Sequence, residues 1–102
     1  MADVDMKILA LRTLREFWTQ HPQAEIPLRS WYAEASKAEW RKPADIKAAH
    51  RAASFLPHQR VVFNIKGNDY RLVVAVRYTQ QLMFVRFIGT HDEYDRIDAT
   101  TI

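Results

Sequence analysis

A chain of 102 residues, 48% hydrophobic and with two glycines, has the size and composition of one compact domain burying roughly 60–70% of its unfolded surface. The absence of cysteine excludes a disulfide framework and a thiolate metal site, and no apolar run reaches the length of a membrane span. The net charge of +3 is unevenly spread: residues 51–88 hold six Lys/Arg against one Asp, and residues 89–102 hold one against four acids. The opening segment MADVDMKIL lacks the cation-then-apolar order of a secretory signal, so a soluble cytoplasmic protein is expected, without membrane contact.

Residues 1–5 read as an extension and residues 6–102 as a single domain. Lys7–Leu11 (KILAL) is short, apolar and strand-like. A helix follows, with Leu11, Leu14 and Trp18 on one stripe and Phe17 beside it. His21-Pro22 ends it, because the residue before a proline is pushed out of helical geometry. A second helix is predicted from about Ala24, with Pro27 in its first turn and a stripe of Leu28, Trp31, Tyr32 and Ala35. Trp18 and Trp31 read as core packing against a sheet rather than as stacking platforms. Residues 41–59 read as connecting structure, holding a brief helix opened by Pro43-Ala44-Asp45, buried through Ile46 and Phe55 and closed by Pro57.

Three strands are predicted next, over residues 60–66, 70–78 and 82–88, with turns at Gly67-Asn68-Asp69 and Thr79-Gln80-Gln81. Strict alternation puts Val61, Phe63, Ile65, Leu72, Val74, Val76, Met83, Val85 and Phe87 on one face. The other face then carries Arg60, Asn64, Lys66, Arg71, Arg77 and Arg86, as an uncovered cationic surface suited to an anionic partner. The fold class is α+β, in the order β-α-α-β-β-β. Both helices lie on the apolar face of a mainly antiparallel sheet, and a short helical turn ends the chain.

That turn is Gly89-Thr90-His91-Asp92-Glu93-Tyr94-Asp95. Thr90 and Glu93 have the spacing of a capping box, which is sufficient structural reason for both. In such a turn His91 has Tyr94 at i+3 and Asp95 at i+4 on its own side, so an imidazole, a phenol and a carboxylate share one rim. This set can move protons to and from hydroxyl groups. RNA supplies its own nucleophile, the 2′-hydroxyl, and Arg71 and Arg86 would then hold the phosphate bidentately. Other chemistry finds no support: the four histidines lack metal-ligand spacing, and there is neither a glycine-rich phosphate loop nor a G-x-S-x-G elbow. No metal and no cofactor is expected.

The runs DIKAAHRAASFLPHQRVVFNIKGNDYRLVVAVRY and FVRFIGTHDEYD resemble the HigB family of bacterial toxins, within the RelE-like group. The resemblance is densest over VFNIKGNDYRLV and GTHDEYD, and the upstream LREFW, HP and WY segments agree with it. It implies a RelE-like fold and an endoribonuclease that cleaves mRNA, commonly on the ribosome. It also implies neutralisation by a HigA-type helix-turn-helix antitoxin, through which alone the pair binds promoter DNA. The family's C-terminal motif falls on Thr90, His91, Glu93, Tyr94 and Asp95, its central motif on Phe63, Asn64, Gly67, Asn68, Tyr70 and Arg71, and its strand arginine on Arg86. Lys66 stands where the family leads one to expect glycine, and His50 where it leads one to expect an aromatic such as tyrosine.

The combined expectation assigns proton transfer to His91, with Tyr94 second and Asp95 orienting His91. Arg71 and Arg86 would sit on the scissile phosphate, and Arg60, Asn64, Lys66 and Arg77 would hold the RNA backbone. The alternative is a module that binds RNA or a partner through the basic sheet without catalysis. A DNA-binding repressor is disfavoured, because the two long helices spend their apolar stripes on packing.

Overall fold

The computed structural model describes residues 6–102; the expected extension at residues 1–5 lies outside them. Five strands, β1 (Lys7–Leu9), β2 (Ser54–Leu56), β3 (Arg60–Ile65), β4 (Tyr70–Arg77) and β5 (Leu82–Thr90), form a sheet in the order β1-β5-β4-β3-β2. Strands β2 to β5 are joined by short turns and pair antiparallel. Between β1 and β2 lie α1 (Leu11–Gln20), α2 (Glu25–Ser36) and α3 (Pro43–Ala49), and β1 runs parallel to β5. The α+β, β-α-α-β-β-β arrangement read from the sequence is therefore observed, with the brief helix α3 and the edge strand β2 inserted before its last three strands. No helix among the described residues is long and apolar enough to cross a membrane.

Helix α1 ends where expected. The His21 N–H still donates to the Phe17 carbonyl at 2.8 Å, but its ψ of 79° leaves the helix, and Pro22–Ala24 make a single 3-10 turn into α2. Leu14, Leu28, Trp31, Ala35 and Ile46 are buried against Val61, Phe63, Leu72, Val74 and Met83 of the sheet. Trp40 joins this core: it stacks on Phe63 with centroids 6.1 Å apart, while Trp31 and His50 meet the same ring edge-on at 5.4 and 5.0 Å. His50 thus does the packing expected of an aromatic. Its Nε2 lies 3.1 Å from Glu34 Oε1 but out of line for a hydrogen bond.

Three expectations need correction. Residues 54–56 are not loop but the edge strand β2, and Phe55 is 37% exposed rather than buried by α3. Three residues are too few for alternation to show. The turn into β3 places His58 and Gln59 at φ of 64° and 60°, where glycine or asparagine would have signalled it.

The second correction concerns Phe87. Val73 pairs with Phe87 but Val74 pairs with Val85, so Arg86 is an extra residue without a partner on β4, a β-bulge. The bulge reverses the phase of β5. Phe87 passes to the face opposite the helices, and Ile88 takes its place in the helix-covered core.

The third correction concerns that opposite face, which is not uncovered. Val62, Val73 and Ala99 form a second small core, with Leu56, Phe87, Tyr94, Ile97 and Ile102 packed on it. The tail is tied down by polar contacts. Arg60 Nε and Nη2 donate to the Ile102 carbonyl oxygen at 3.1 and 2.6 Å, and His58 Nδ1 lies 3.1 Å from the Thr100 carbonyl oxygen. Asp98 accepts from the Thr100 hydroxyl and N–H at 2.6 and 3.0 Å, and these bonds, with His58 nearby, lower its carboxyl below the usual aspartate range. Cations consequently flank an apolar middle instead of filling the face.

Candidate functional site

The turn after β5 is built as its sequence indicates. Helix α4 (His91–Tyr94) opens with a closed capping box: Thr90 N–H donates to Glu93 Oε1 at 2.8 Å, and Glu93 N–H donates to Thr90 Oγ1 at 3.2 Å. Gly89 is required by close approach. A Cβ there would lie 2.5 Å from Phe87 Cζ and 2.7 Å from Glu93 Oε1. Gly89→Ala must move both the ring and the capping carboxylate, so it should cost about 1–3 kcal/mol, the range for overpacking. Thermal unfolding of the variant, with a lower Tm at unchanged secondary structure, checks this.

On this fixed turn His91 and Asp95 are both exposed, with Nδ1 to Oδ2 at 3.3 Å. Tyr94 is half-buried and packs on the Val62–Val73 cluster, anchoring the turn to the sheet. Asp92 is exposed as well, and His91, Asp92 and Asp95 each offer one donor atom within 4.8 Å of the others.

Strand register brings one cation to this turn. Tyr70 pairs with Thr90, Arg71 with Gly89, and Asn64 with Arg71, so Asn64, Arg71 and Gly89 form a row across three strands, two residues before His91. Arg71 Nη1 donates to the Asn68 carbonyl at 3.1 Å, arching over the β3–β4 turn. Lys66 in that turn pairs with Asp69 at 3.1 Å. Its φ of 54° is left-handed, which explains why glycine is the residue expected there.

Arg86 is exposed at the bulge, three residues and about 10 Å of strand before Gly89. The two remaining cations are placed elsewhere. Arg77 pairs with Leu82 at the far end of β4, six residues and about 20 Å from Arg71, and Arg60 is spent on the tail. Backbone register sets Arg71 and Asn64 in the row that leads into the turn carrying His91, Tyr94 and Asp95, with Lys66 and Arg86 further off and Arg60 and Arg77 elsewhere.

Sequence reasoning missed a groove of ≈ 540 Å³ beside the turn, lined in part by Phe17, His21, Phe87 and Arg96. Phe17 reads as part of a core stripe, and strict alternation assigns Phe87 to the face opposite the one on which it lies. An exposed imidazole held by a carboxylate can exchange protons, and a guanidinium in the adjoining row can bind a phosphate or carboxylate.

Residues 24–97 match the family described as HigB_toxin, the RelE-like toxic component of a toxin–antitoxin system. Over 96 residues the chain is 27% identical to "mRNA interferase toxin HigB" of Escherichia coli (strain K12), covering 92% of each chain, and equally to "mRNA interferase HigB" of Shigella flexneri. A further "mRNA interferase HigB", from Escherichia coli O6:H1 (strain CFT073), is 21% identical over 94 residues, covering 90% of this chain and 91% of the relative. A match across 24–97, on a fold with the expected element order and a capped T-H-D-E-Y-D turn, places this chain in the HigB family of RelE-like toxins of toxin–antitoxin systems.

Proposed function

We propose that the protein is a metal-independent endoribonuclease that cleaves mRNA held on the ribosome, so arresting translation in the cytoplasm. One observation carries this reading: the exposed His91–Asp95 pair stands on a rigid turn whose preceding residue row contains Arg71. The names of the relatives support it.

In this mechanism the 2′-hydroxyl attacks the adjacent phosphorus as its proton passes to a base on the turn. The P–O5′ bond breaks, and the leaving 5′-oxygen takes a proton. The products are a 2′,3′-cyclic phosphate and a 5′-hydroxyl. His91 is the principal proton-transfer group and Tyr94 the second, with Asp95 orienting the imidazole through its 3.3 Å contact. Arg71, and Arg86 from the bulge, offset charge developing on the phosphate. Asn64 and Lys66 hold the flanking backbone, giving salt-sensitive binding. The ribosome supplies the positioning that so small a protein does not. A HigA-type antitoxin neutralises the activity and links the pair to promoter DNA.

The test is cleavage of end-labelled mRNA on programmed ribosomes kept in Mg2+, by protein first stripped with EDTA and dialysed free of it. Cyclic-phosphate ends with undiminished rate support the proposal. Loss of cleavage that added transition metal restores would implicate the His91–Asp92–Asp95 donors instead, and binding without scission would leave a non-catalytic RNA-binding module.

A further inference from the structure

We propose that the groove between the C-terminal end of α1 and the turn bearing α4 is a stacking subsite for one unpaired nucleobase next to the cleaved linkage. This rests on the ribonuclease reading above and adds to it the residues that would select the substrate.

The groove exists because β1 stops early. Its last pair is Leu9 with Phe84, so β5 from Val85 onward has no strand on that side. One wall is a pile of rings. His21 stacks on Phe17 with centroids 4.3 Å apart and planes 22° from parallel, and Tyr70 meets Phe17 edge-on at 5.2 Å and His21 at 6.0 Å. The imidazole is half-buried, and among the described residues its ring nitrogens take no hydrogen bond. Phe87 and Ile97 also line the groove.

At the rim are the exposed side chains of Gln20 and Arg96, which are likewise unpaired among the described residues. Flat apolar walls with an amide and a guanidinium at the mouth suit a nucleobase, whose faces are aromatic and whose edges and phosphate are polar. The volume of ≈ 540 Å³ falls within the roughly 300–1,000 Å³ of small-ligand clefts.

Position assigns the nucleotide. Glu93 lines the groove and, through Oε1, holds the Thr90 N–H of the turn that presents His91. A base seated there belongs to the RNA strand passing the catalytic turn, not to a distant segment.

The experiment pairs an abasic scan of the message around the cleavage point with His21→Ala, on programmed ribosomes. For the wild type, removing one particular base should lower kcat/KM roughly 10- to 100-fold, as expected for one lost aromatic stack. His21→Ala should lose a similar factor on intact RNA and be indifferent to that abasic site, while His21→Phe should keep the discrimination. Gln20→Ala and Arg96→Ala, both at exposed positions, should weaken it without unfolding, and they decide the matter should His21→Ala fold poorly. Equal abasic penalties in the wild type and all variants would overturn the subsite while leaving the nuclease intact. So would variants that cut normally but escape the antitoxin, since the groove would then dock protein. Absence of cleavage by the wild type defeats the parent reading, and the subsite with it.

Discussion

His91→Ala is expected to slow mRNA cleavage by about 10²–10⁴-fold, the usual loss when an acid or base is removed. The substitution is clean because His91 is exposed and its side chain contacts Asp95 only through a surface pair at 3.3 Å, worth at most about 1 kcal/mol. The melting temperature should therefore stay close to that of the wild type while single-turnover cleavage collapses and induced growth arrest disappears. Tyr94→Phe distinguishes the two proton carriers: it keeps the ring that packs on Val62 and Val73 and removes only the hydroxyl. Full toxicity in both variants would sink the assignment of proton transfer to this turn.

Arg71→Ala should cost about 10²–10³-fold in the chemical step, as for other preorganised contributors to transition-state charge. Its position in the row with Gly89 makes it the assigned cation closest along the sheet to the catalytic turn. Arg71→Lys should recover only part of the loss, because an ammonium cannot grip two phosphate oxygens in one plane. Some stability will go too, about 0.5–1.5 kcal/mol, since the guanidinium also donates to the Asn68 carbonyl. Arg77→Ala is the matched control, an arginine on the same strand about 20 Å away, and should leave the rate of the chemical step within twofold. An equal loss from both would mean a general electrostatic effect rather than a phosphate contact.

What the sequence disclosed, and what it withheld, separates along a physical line. The helical stripes, the proline-ended α1 and the Thr90–Glu93 box are local: each is decided by residues within a turn or two, and each is found as read except that Tyr32 of the α2 stripe is 37% exposed and not part of the core. The bulge is not local. Alternation through Met83, Val85 and Phe87 is unbroken in the sequence, and only pairing against β4 shows that Arg86 has no opposite number. The tail was illegible for a similar reason. Ile97, Ala99 and Ile102 carry no period of their own and find their place only once Val62 and Val73 make a surface for them. The cations of the site divide accordingly. Arg71 lies in the row with Gly89 that leads into the turn, whereas Arg60, equivalent to it by alternation, is held by a carbonyl more than 40 residues along the chain.

The single unmatched residue on β5 has a consequence for how this toxin tolerates change. An insertion and a deletion within Val85–Ile88 differ in what they disturb. Loss of Arg86 joins Val85 directly to Phe87 with their partners Val74 and Val73 unchanged, so Ile88 and the histidine-bearing turn keep their faces and only the bend of the strand is lost. A residue added there instead needs a wider bulge or moves Ile88 to the opposite face, so this short segment should tolerate the loss of its odd residue better than a gain.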